Sequence, residues 1–333
     1  LEIKGNEKKS INIKGENNIC EIKISTSKEL ADDLLNYSKL VKNITLNNNE
    51  WAFLCPGGIG DTFILCALSK PFIEKRSGTF TVIVKNNHSS IPSMFSSISR
   101  IETVEKMPSL DSFKFFSNFK INDKMRGRLL LGHAFFLASI AGYKGLGFVD
   151  MYKMYLGLEH TALLTKPSIS KNAVKKATDK FTKHNLPIGK TVILAPYAKS
   201  LKNFRIEVWA EIVKYIKYNG LVPVTNIANN EKPIPGTGGI NISLEEIIPF
   251  CELAGHVISI RSGLCDLLSN AEIKFTVLYP KSFFIHETTL YEFYSLEKNG
   301  MTNSSKNVQE IEIDENAVDH NFIKQLINFH CIN

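Results

Sequence analysis

The chain has 333 residues, 44% of them hydrophobic, and a formal net charge of +7 at pH 7. This length favours two domains with buried cores over one compact domain. No stretch reaches the roughly 18 to 20 apolar residues of a membrane helix, and the opening LEIKGNEKKS lacks the apolar core of a signal peptide, so we expect a cytoplasmic protein. The charge is spread along the chain, which argues against nucleic-acid binding and suits a phosphorylated ligand or an anionic membrane surface equally.

The cysteines are widely spaced and form no C-x-x-C pair. They are predicted to be reduced and mostly packed thiols, and we assign no metal. Two of them flank a candidate active loop, where a redox or metal role is the less favoured alternative: Cys55 and Cys66.

Residues 1–25 repeat a short phrase in which isoleucine alternates with polar residues between Gly-Asn turns. Such alternation predicts small antiparallel strands. We interpret residues 1–48 as a short β extension at the start of the chain.

From Trp51 onward the sequence pattern is that of a strand, a glycine turn and a helix. The run WAFLC predicts a strand, PGGIGD a turn and TFILCALSKPFIEK a helix, followed by a second strand in FTVIV. This order predicts a parallel βαβ unit.

The middle of the chain, residues 126–158, is apolar and punctuated by glycine. We predict helices that line a cleft, with an amphipathic membrane-docking surface as the alternative. The lysine-rich stretch 166–190 contains two prolines, and we place a boundary at its end, which divides the body into domains 49–188 and 189–333.

The second domain repeats the alternation of strands and helices. Strands are predicted in TVILAP, LVPVTNI, HVISI and IKFTVLYP, and Ser243 and Glu246 have the spacing of a capping box that starts a helix. Late elements lie in NVQEIEI and FIKQLINF. The fold class predicted is therefore α/β, with two Rossmann-like lobes that face a central cleft.

The first group of candidate site residues lies between the first long strand and its helix. Glycines in such a turn let another group approach the backbone, so we predict a cleft loop formed by Gly57, Gly58, Gly60 and Thr62. The turn lacks the third glycine of a dinucleotide fingerprint, because Phe63 stands there. Asp61 caps the helix or accepts a proton from a hydroxyl group in the cleft.

The second group follows the strand TVILAP. Cations at the carboxyl end of a parallel strand lie where α/β folds bind ligands, and a solvated basic turn is the alternative. The residues are Tyr197, Lys199, Lys202 and Arg205.

The third group, Arg261, Ser262, Gly263 and Asp266, again follows a strand and precedes a helix. An arginine beside a glycine turn suits phosphate, and we favour ligand contact over an ion pair between Arg261 and Asp266.

Taken together, these three groups resemble the heptosyltransferases of glycosyltransferase family nine, which have the GT-B fold. The Gly60-Asp61 pair matches the family's turn, and this implies that Asp61 is the catalytic base. Lys202, Phe204 and Trp209 are similar to the family's basic loop, whose lysine contacts donor phosphate.

The family's donor turn reads Asp-(Ser/Thr)-Gly-x-x-His. Ser262 and Gly263 match it, whereas Arg261 stands at the position of the aspartate and Asp266 at that of the histidine. This departure suggests a different nucleotide sugar.

The resemblance implies an acceptor lobe at 49–188, a donor lobe at 189–333 and an inverting, metal-independent transfer without a cofactor. The expected partners are a nucleotide sugar and a glycan or glycolipid acceptor in synthesis of a surface polysaccharide such as lipopolysaccharide, and peripheral contact with the inner face of the membrane fits them. The donor-binding residues would be Tyr197, Lys199, Lys202, Arg261, Ser262, Gly263 and Asp266. The alternatives are a nucleotide-sugar epimerase and a non-catalytic carbohydrate- or nucleotide-binding protein.

Overall fold

The computed structural model describes residues 2–4, 9–14, 19–24, 36, 39, 44–107, 129–134, 145–228, 230–281, 283–285, 288–302, 307–314 and 319–331. The first of its sheets has three antiparallel strands, as the alternating pattern near the start of the chain predicts. They are β1 (Glu2–Lys4), β2 (Lys9–Lys14) and β3 (Ile19–Ile24).

A second sheet has four parallel strands in the order β6-β5-β4-β7. Its strands are β4 (Glu50–Leu54), β5 (Thr79–Lys85), β6 (Ile98–Val104) and β7 (Leu129–Leu131). The accompanying helices are α1 (Ile59–Ala67), α2 (Ser69–Arg76) and α3 (Phe148–Tyr155). Strands β5 and β6 follow β4 on one side of it, and β7 then pairs with β4 on the other side.

A third sheet has six parallel strands in the order β10-β9-β8-β11-β12-β15. These strands are β8 (Thr191–Ala195), β9 (Val222–Asn226), β10 (Gly238–Ile240), β11 (Gly255–Ile260), β12 (Lys274–Pro280) and β15 (Val308–Ile313). Counted within this sheet the order is 3-2-1-4-5-6, that of a doubly wound dinucleotide-type fold. A small hairpin pairs β13 (Phe283–Ile285) with β14 (Thr288–Thr289).

Helices cover both faces of the six-stranded sheet. They are α4 (Lys171–Lys183), α5 (Ile206–Tyr218), α6 (Ile247–Ala254), α7 (Gly263–Leu268), α8 (Leu290–Tyr294) and α9 (His320–Cys331). On one face, α5 and α9 bury Trp209 and Leu326 against Leu194 and Ile258. Successive side chains of β8 and β11 therefore enter two cores, one on each face of the sheet, as expected for parallel strands.

The other core is continuous between the two parallel sheets. It includes Phe53 of β4 and Phe63 of α1 together with Val257 of β11 and Phe275 of β12. Helix α4, which precedes the predicted boundary at 188, packs on α6 through Phe181 and Phe250, with ring centroids 5.1 Å apart. The domain limits themselves stay a prediction.

Three local predictions need correction. The helix predicted from 62 to 75 is two helices that break at Leu68. Helices were predicted in residues 126–158, but this segment contains strand β7, because the run of leucines before Gly132 pairs with β4. Residues 126–128 and 135–144 of the same segment lie outside the described residues. The Ser243–Glu246 pair closes a turn before α6, which begins at Ile247.

Candidate functional site

Each parallel sheet has one point where the chain order reverses. In the four-stranded sheet this lies between β4 and β7, and in the six-stranded sheet between β8 and β11. Loops that leave the carboxyl ends of such strands diverge and leave a crevice, where α/β proteins bind ligands. The loops at these two points carry the three groups of candidate residues that the sequence singles out.

Asp61 lies on the first turn of α1, directly after β4. Its Oδ2 accepts a hydrogen bond from Gly58 N at 2.9 Å, and its Oδ1 accepts one from the Tyr152 hydroxyl at 2.9 Å. His133 Nε2 is 3.4 Å from the same Oδ1. The Asp61 side chain is still 20% exposed. Hydrogen bonds therefore fix the Asp61 carboxylate, which stays accessible to a ligand.

The glycines before Asp61 make room for this arrangement. A Cβ atom added at Gly57 would stand 2.6 Å from Asp61 Cβ, and Gly58 supplies the amide that the carboxylate caps. Thr62 is fully buried, and its hydroxyl donates to the Gly58 carbonyl at 3.0 Å. The glycines of the predicted ligand loop therefore accommodate and orient the Asp61 side chain. Thr62 stabilises the first turn of α1.

His133 and Tyr152 were not among the site residues predicted from the sequence. His133 follows the short strand β7, so its position at a strand end could have marked it as a candidate. Tyr152 lies on helix α3, 91 residues from Asp61, and no spacing pattern connects the two. Burial lowers the pKa of His133 below its ordinary value, and the charge of Asp61 opposes this shift. Burial also raises the pKa of Tyr152 well above its ordinary value, and the charge of Asp61 raises it further. At neutral pH His133 is therefore uncharged and Tyr152 is a proton donor.

A second buried histidine lies at the same edge of the four-stranded sheet. His88 ends the 3₁₀ turn after β5, is 8% exposed, and has no hydrogen-bond partner for its Nδ1 within the described residues. Burial lowers its pKa, Lys85 and Lys199 act in the same direction, and Asp61 opposes them. Lys199 follows β8 of the other sheet, so charges from both sheets act on this imidazole.

Arg261 and Asp266 form a buried ion pair, which corrects the preference for ligand contact. Arg261 donates to the two carboxylate oxygens at 3.1 and 2.5 Å, and the residues are 3% and 1% exposed. Its Nε donates to the Tyr294 carbonyl at 3.1 Å, and its guanidinium carbon lies 5.1 Å from the centre of that ring. Its own neighbour, Ser262, accepts a further bond through the carbonyl. Four of its five N–H groups are thus used inside the protein.

The pair is ionic. Burial by itself would lower the pKa of Arg261, but the adjacent charge and hydrogen bonds of Asp266 raise it above its ordinary value. A bidentate arginine–carboxylate contact is short and directional. Arg261 and Asp266 therefore hold the turn between β11 and α7.

The loops of the two sheets touch through glycine. A Cβ atom at Gly60 would stand 2.3 Å from Asp266 Oδ2, and one at Gly263 would stand 2.4 Å from Gly60 N. The facing loop fills the space that these two glycines leave open, at positions where a ligand was predicted. Their contact brings Asp61 close to Asp266. Burial raises the pKa of Asp266, the adjacent Arg261 opposes this rise, and the charge of Asp61 adds to it.

The basic loop after β8 is mostly exposed. Lys199 and Lys202 are exposed and Tyr197 is half-buried, and the Tyr197 hydroxyl donates a hydrogen bond to the Lys232 carbonyl at 2.5 Å. Arg205 stands at the start of α5, and Phe204 and Trp209 are buried in the core beneath. Since β8 and β11 are neighbours, this loop leaves the same edge as the Arg261 turn.

An open pocket of about 530 Å³ lies at the carboxyl ends of β5 and β6. Two lysines and two asparagines dominate its lining, which consists of Lys85, Asn86, Asn87, Glu105, Lys106 and Met107. Its two lysines outnumber its one glutamate, and the resulting positive charge suits an anionic or hydroxyl-rich molecule.

Within the described part of the chain, no group of three or more His, Cys, Asp or Glu side chains is arranged to hold a metal. Cys55 and Cys66 are buried, and burial raises the pKa of both thiols. None of the helices in the described ranges combines the length and apolarity that a membrane crossing requires.

Comparison with known proteins extends this description. No family model matches the sequence, and no curated protein matches it. Solved structures do match. A glycosyl transferase family 9 protein from Veillonella parvula aligns with a TM-score of 0.57 at 13% identity, over 86% of this chain and 97% of that one. The chain has the fold of these transferases.

Two E. coli proteins support the same fold. ADP-heptose LPS heptosyltransferase II aligns with a TM-score of 0.58 at 10% identity, over 84% of this chain and 98% of that one. Heptosyltransferase WaaC with ADP aligns with a TM-score of 0.51 at 14% identity, over 84% and 99%. The resemblance to glycosyltransferase family nine predicted from the short motifs is thus confirmed at the level of the fold.

Proposed function

We propose that the protein is an inverting, metal-independent glycosyltransferase with a GT-B arrangement, which moves a sugar from a nucleotide donor to a hydroxyl group of a glycan or glycolipid. One observation carries the proposal: the accessible Asp61 carboxylate lies where the reversal points of both parallel sheets meet. The fold shared with the structural neighbours supports this function, and the name of one of them, E. coli ADP-heptose LPS heptosyltransferase II, gives a nucleotide sugar as its donor.

In the proposed reaction an acceptor oxygen attacks the anomeric carbon of the donor sugar. Asp61 takes the proton of that hydroxyl as the new carbon–oxygen bond forms. The bond from the anomeric carbon to the donor phosphate breaks, and the nucleotide leaves with the electron pair. Attack opposite the leaving group inverts the anomeric centre.

Charge on the leaving phosphate needs stabilisation in the transition state. We assign this role to Lys199 and Lys202, which are exposed on the loop after β8, with Tyr197 beside them. Ser262 and Gly263 stay predicted donor contacts through their backbone. Because Arg261 and Asp266 neutralise each other, we assign them the support of this turn in place of direct donor contact.

The acceptor is proposed to enter from the four-stranded sheet. The cavity lined by Lys85 and Lys106 lies on that side, and its lysines suit an acceptor that carries a carboxylate or phosphate. A lipid-linked acceptor would bring this face near a membrane surface, and we keep peripheral membrane contact as part of the proposal.

The closed Arg261–Asp266 pair favours a second candidate. Because Arg261 is paired with Asp266, this turn offers fewer contacts to a diphosphate. This is expected of a protein that binds a nucleotide or carbohydrate without turning it over. Such a protein would still show ligand-dependent stability.

Product analysis separates these functions. A thermal-shift screen of nucleotides and nucleotide sugars first identifies a donor, because a ligand of the folded state raises the melting temperature. That donor is then incubated with and without a panel of acceptors, and the products are analysed by mass spectrometry and by proton NMR of the anomeric position. We expect an inverted glycoside only when an acceptor is present. A changed sugar without acceptor would indicate an epimerase, and stabilisation without any product would indicate the binding protein.

A further inference from the structure

We infer that His133 and Tyr152 are positioning residues for the Asp61 carboxylate, which direct its proton-accepting electron pair to Oδ2. The inference rests on the proposed function for its kinetic consequence, but its geometry can be tested without any substrate. It concerns residues outside the short motifs that suggested the transferase.

The contacts of Asp61 divide unequally between its two oxygens. Oδ1 accepts a hydrogen bond from the Tyr152 hydroxyl at 2.9 Å, and His133 Nε2 lies 3.4 Å from the same oxygen as its second polar neighbour. Oδ2 receives the Gly58 amide alone among the described residues, at 2.9 Å. A carboxylate oxygen has two acceptor positions. The remaining position, on Oδ2, is the one available to an incoming hydroxyl proton.

Both positioning residues are in the protonation states that this role requires. Burial keeps the Tyr152 hydroxyl protonated by raising its pKa, and burial keeps His133 neutral by lowering its pKa. A neutral imidazole beside a carboxylate is expected to carry its proton on the nitrogen that faces it. His133 therefore presents Nε2–H to Oδ1.

A second helix of the same protein shows that capping does not need these donors. Asp150 occupies the same position in α3 and accepts from Gly147 N at 3.3 Å, in a capping box like that of Asp61. Within the described residues no other hydrogen-bond partner faces it. The tyrosine and histidine at Asp61 thus exceed what a helix start demands.

Helix α3 fixes Tyr152 in place. The tyrosine is fully buried and packs edge-on against Phe148 at 5.4 Å. Phe148 in turn lies 5.0 Å from the Tyr294 ring of the other sheet's layer, and Asn299 Oδ1 accepts from Val149 N at 2.8 Å. The orientation of Asp61 is therefore tied to the contact between the two sheets.

The direct test is a pH titration of the His133 ring by NMR in the ¹⁵N-labelled full chain, with His133→Gln identifying the signal. We expect the Nε2–H tautomer, and a His133 pKa that falls in Asp61→Asn, because the opposite charge that favours the imidazolium is lost. Asp150→Asn is the matched control and should leave the titration unchanged. Superimposable His133 titrations in the wild type and Asp61→Asn would overturn the inference.

Kinetics of sugar transfer supply the second readout. Tyr152→Phe removes one hydroxyl without disturbing the ring, and we expect kcat to fall about 10- to 100-fold with little change in KM, as for a lost hydrogen bond to a charged group. His133→Gln, which retains an N–H donor, should keep more activity than His133→Leu. In an Asp61→Ala background Tyr152→Phe should cost nothing further. Equal losses from Tyr152→Phe with and without Asp61 would contradict positioning, whereas wild-type turnover in Asp61→Ala alone would remove the proposed base and leave the NMR result standing.

Discussion

Gly60 and Gly263 hold the loops of the two parallel sheets in backbone contact, and this makes them sensitive positions. A methyl group at Gly60 would overlap Asp266 Oδ2, an atom fixed by the buried ion pair with Arg261. We predict that Gly60→Ala lowers the free energy of unfolding by about 2 kcal/mol or more, as overpacked sites do. Urea denaturation measures the change.

Gly238→Ala provides the control for that substitution. Gly238 is exposed on β10, and a Cβ atom there meets nothing within 4 Å. Its replacement should be neutral or slightly stabilising. If both alanine variants unfold at the wild-type urea concentration, the contact between the loops is looser than described.

At the residue scale, the sequence predicted what is local. The turn around Asp61 was recognisable because Gly57, Gly58 and the aspartate lie within five positions of one another. The Tyr152 partner was not, because a hydrogen bond across 91 residues leaves no spacing to read. An ion pair between Arg261 and Asp266 was considered, but ligand contact was preferred to it. The two residues are five positions apart, and the short helix between them brings their side chains together.

At the scale of elements, a pair of buried histidines connects the last helix to the six-stranded sheet. His330 of α9 and His256 of β11 have their Nδ1 atoms 3.3 Å apart, and His330 Nε2 lies 2.9 Å from the Thr276 hydroxyl. Burial, with smaller contributions from His256 and Lys274, lowers the pKa of His330 to about 3. Burial likewise lowers the pKa of His256, opposed by its hydrogen bond to Gly189.

The sign of the resulting pH dependence follows from proton binding. Unfolded histidine titrates near pH 6.5, so between about pH 6.5 and pH 3 the unfolded state binds a proton that the folded state refuses. Stability should therefore fall as the pH falls, by up to about 1.4 kcal/mol per pH unit for one such histidine. We predict a shallower decline for His330→Gln, measured by urea denaturation from pH 7 to pH 4.

The exposed His184 is the control for this prediction. His184→Gln should keep the wild-type slope of stability against pH. An unchanged slope in His330→Gln would show that α9 is not held by a neutral histidine pair.

Six strands of the two parallel sheets, β4, β5, β8, β9, β11 and β12, were predicted within one or two residues, because buried parallel strands are short apolar runs bounded by turns. Strands β6 and β10 of the same sheets were not predicted. Strand β7 was missed because three leucines next to an apolar segment do not distinguish a strand from a helix. The break at Leu68 was missed because the apolar spacing continues across it.

At the scale of the whole molecule, two sheets of related strand order meet at the edges where their loops diverge. The order 3-2-1-4 in the smaller sheet places Asp61 and His133 side by side, since they follow adjacent strands. The order 3-2-1-4-5-6 in the larger sheet does the same for the basic loop and the Arg261 turn. Neither adjacency was readable from the sequence, because pairing of β4 with β7 and of β8 with β11 depends on the sheet and not on chain spacing.

The central claim is that Asp61 accepts the acceptor's proton. Its most direct test is the single-turnover rate of sugar transfer in Asp61→Ala beside Asp150→Ala, which removes an equivalent helix cap. We predict a loss of about two to four orders of magnitude for Asp61→Ala, as for a general base, with donor binding retained and Asp150→Ala close to the wild type. A transfer rate in Asp61→Ala equal to that of Asp150→Ala would contradict the account.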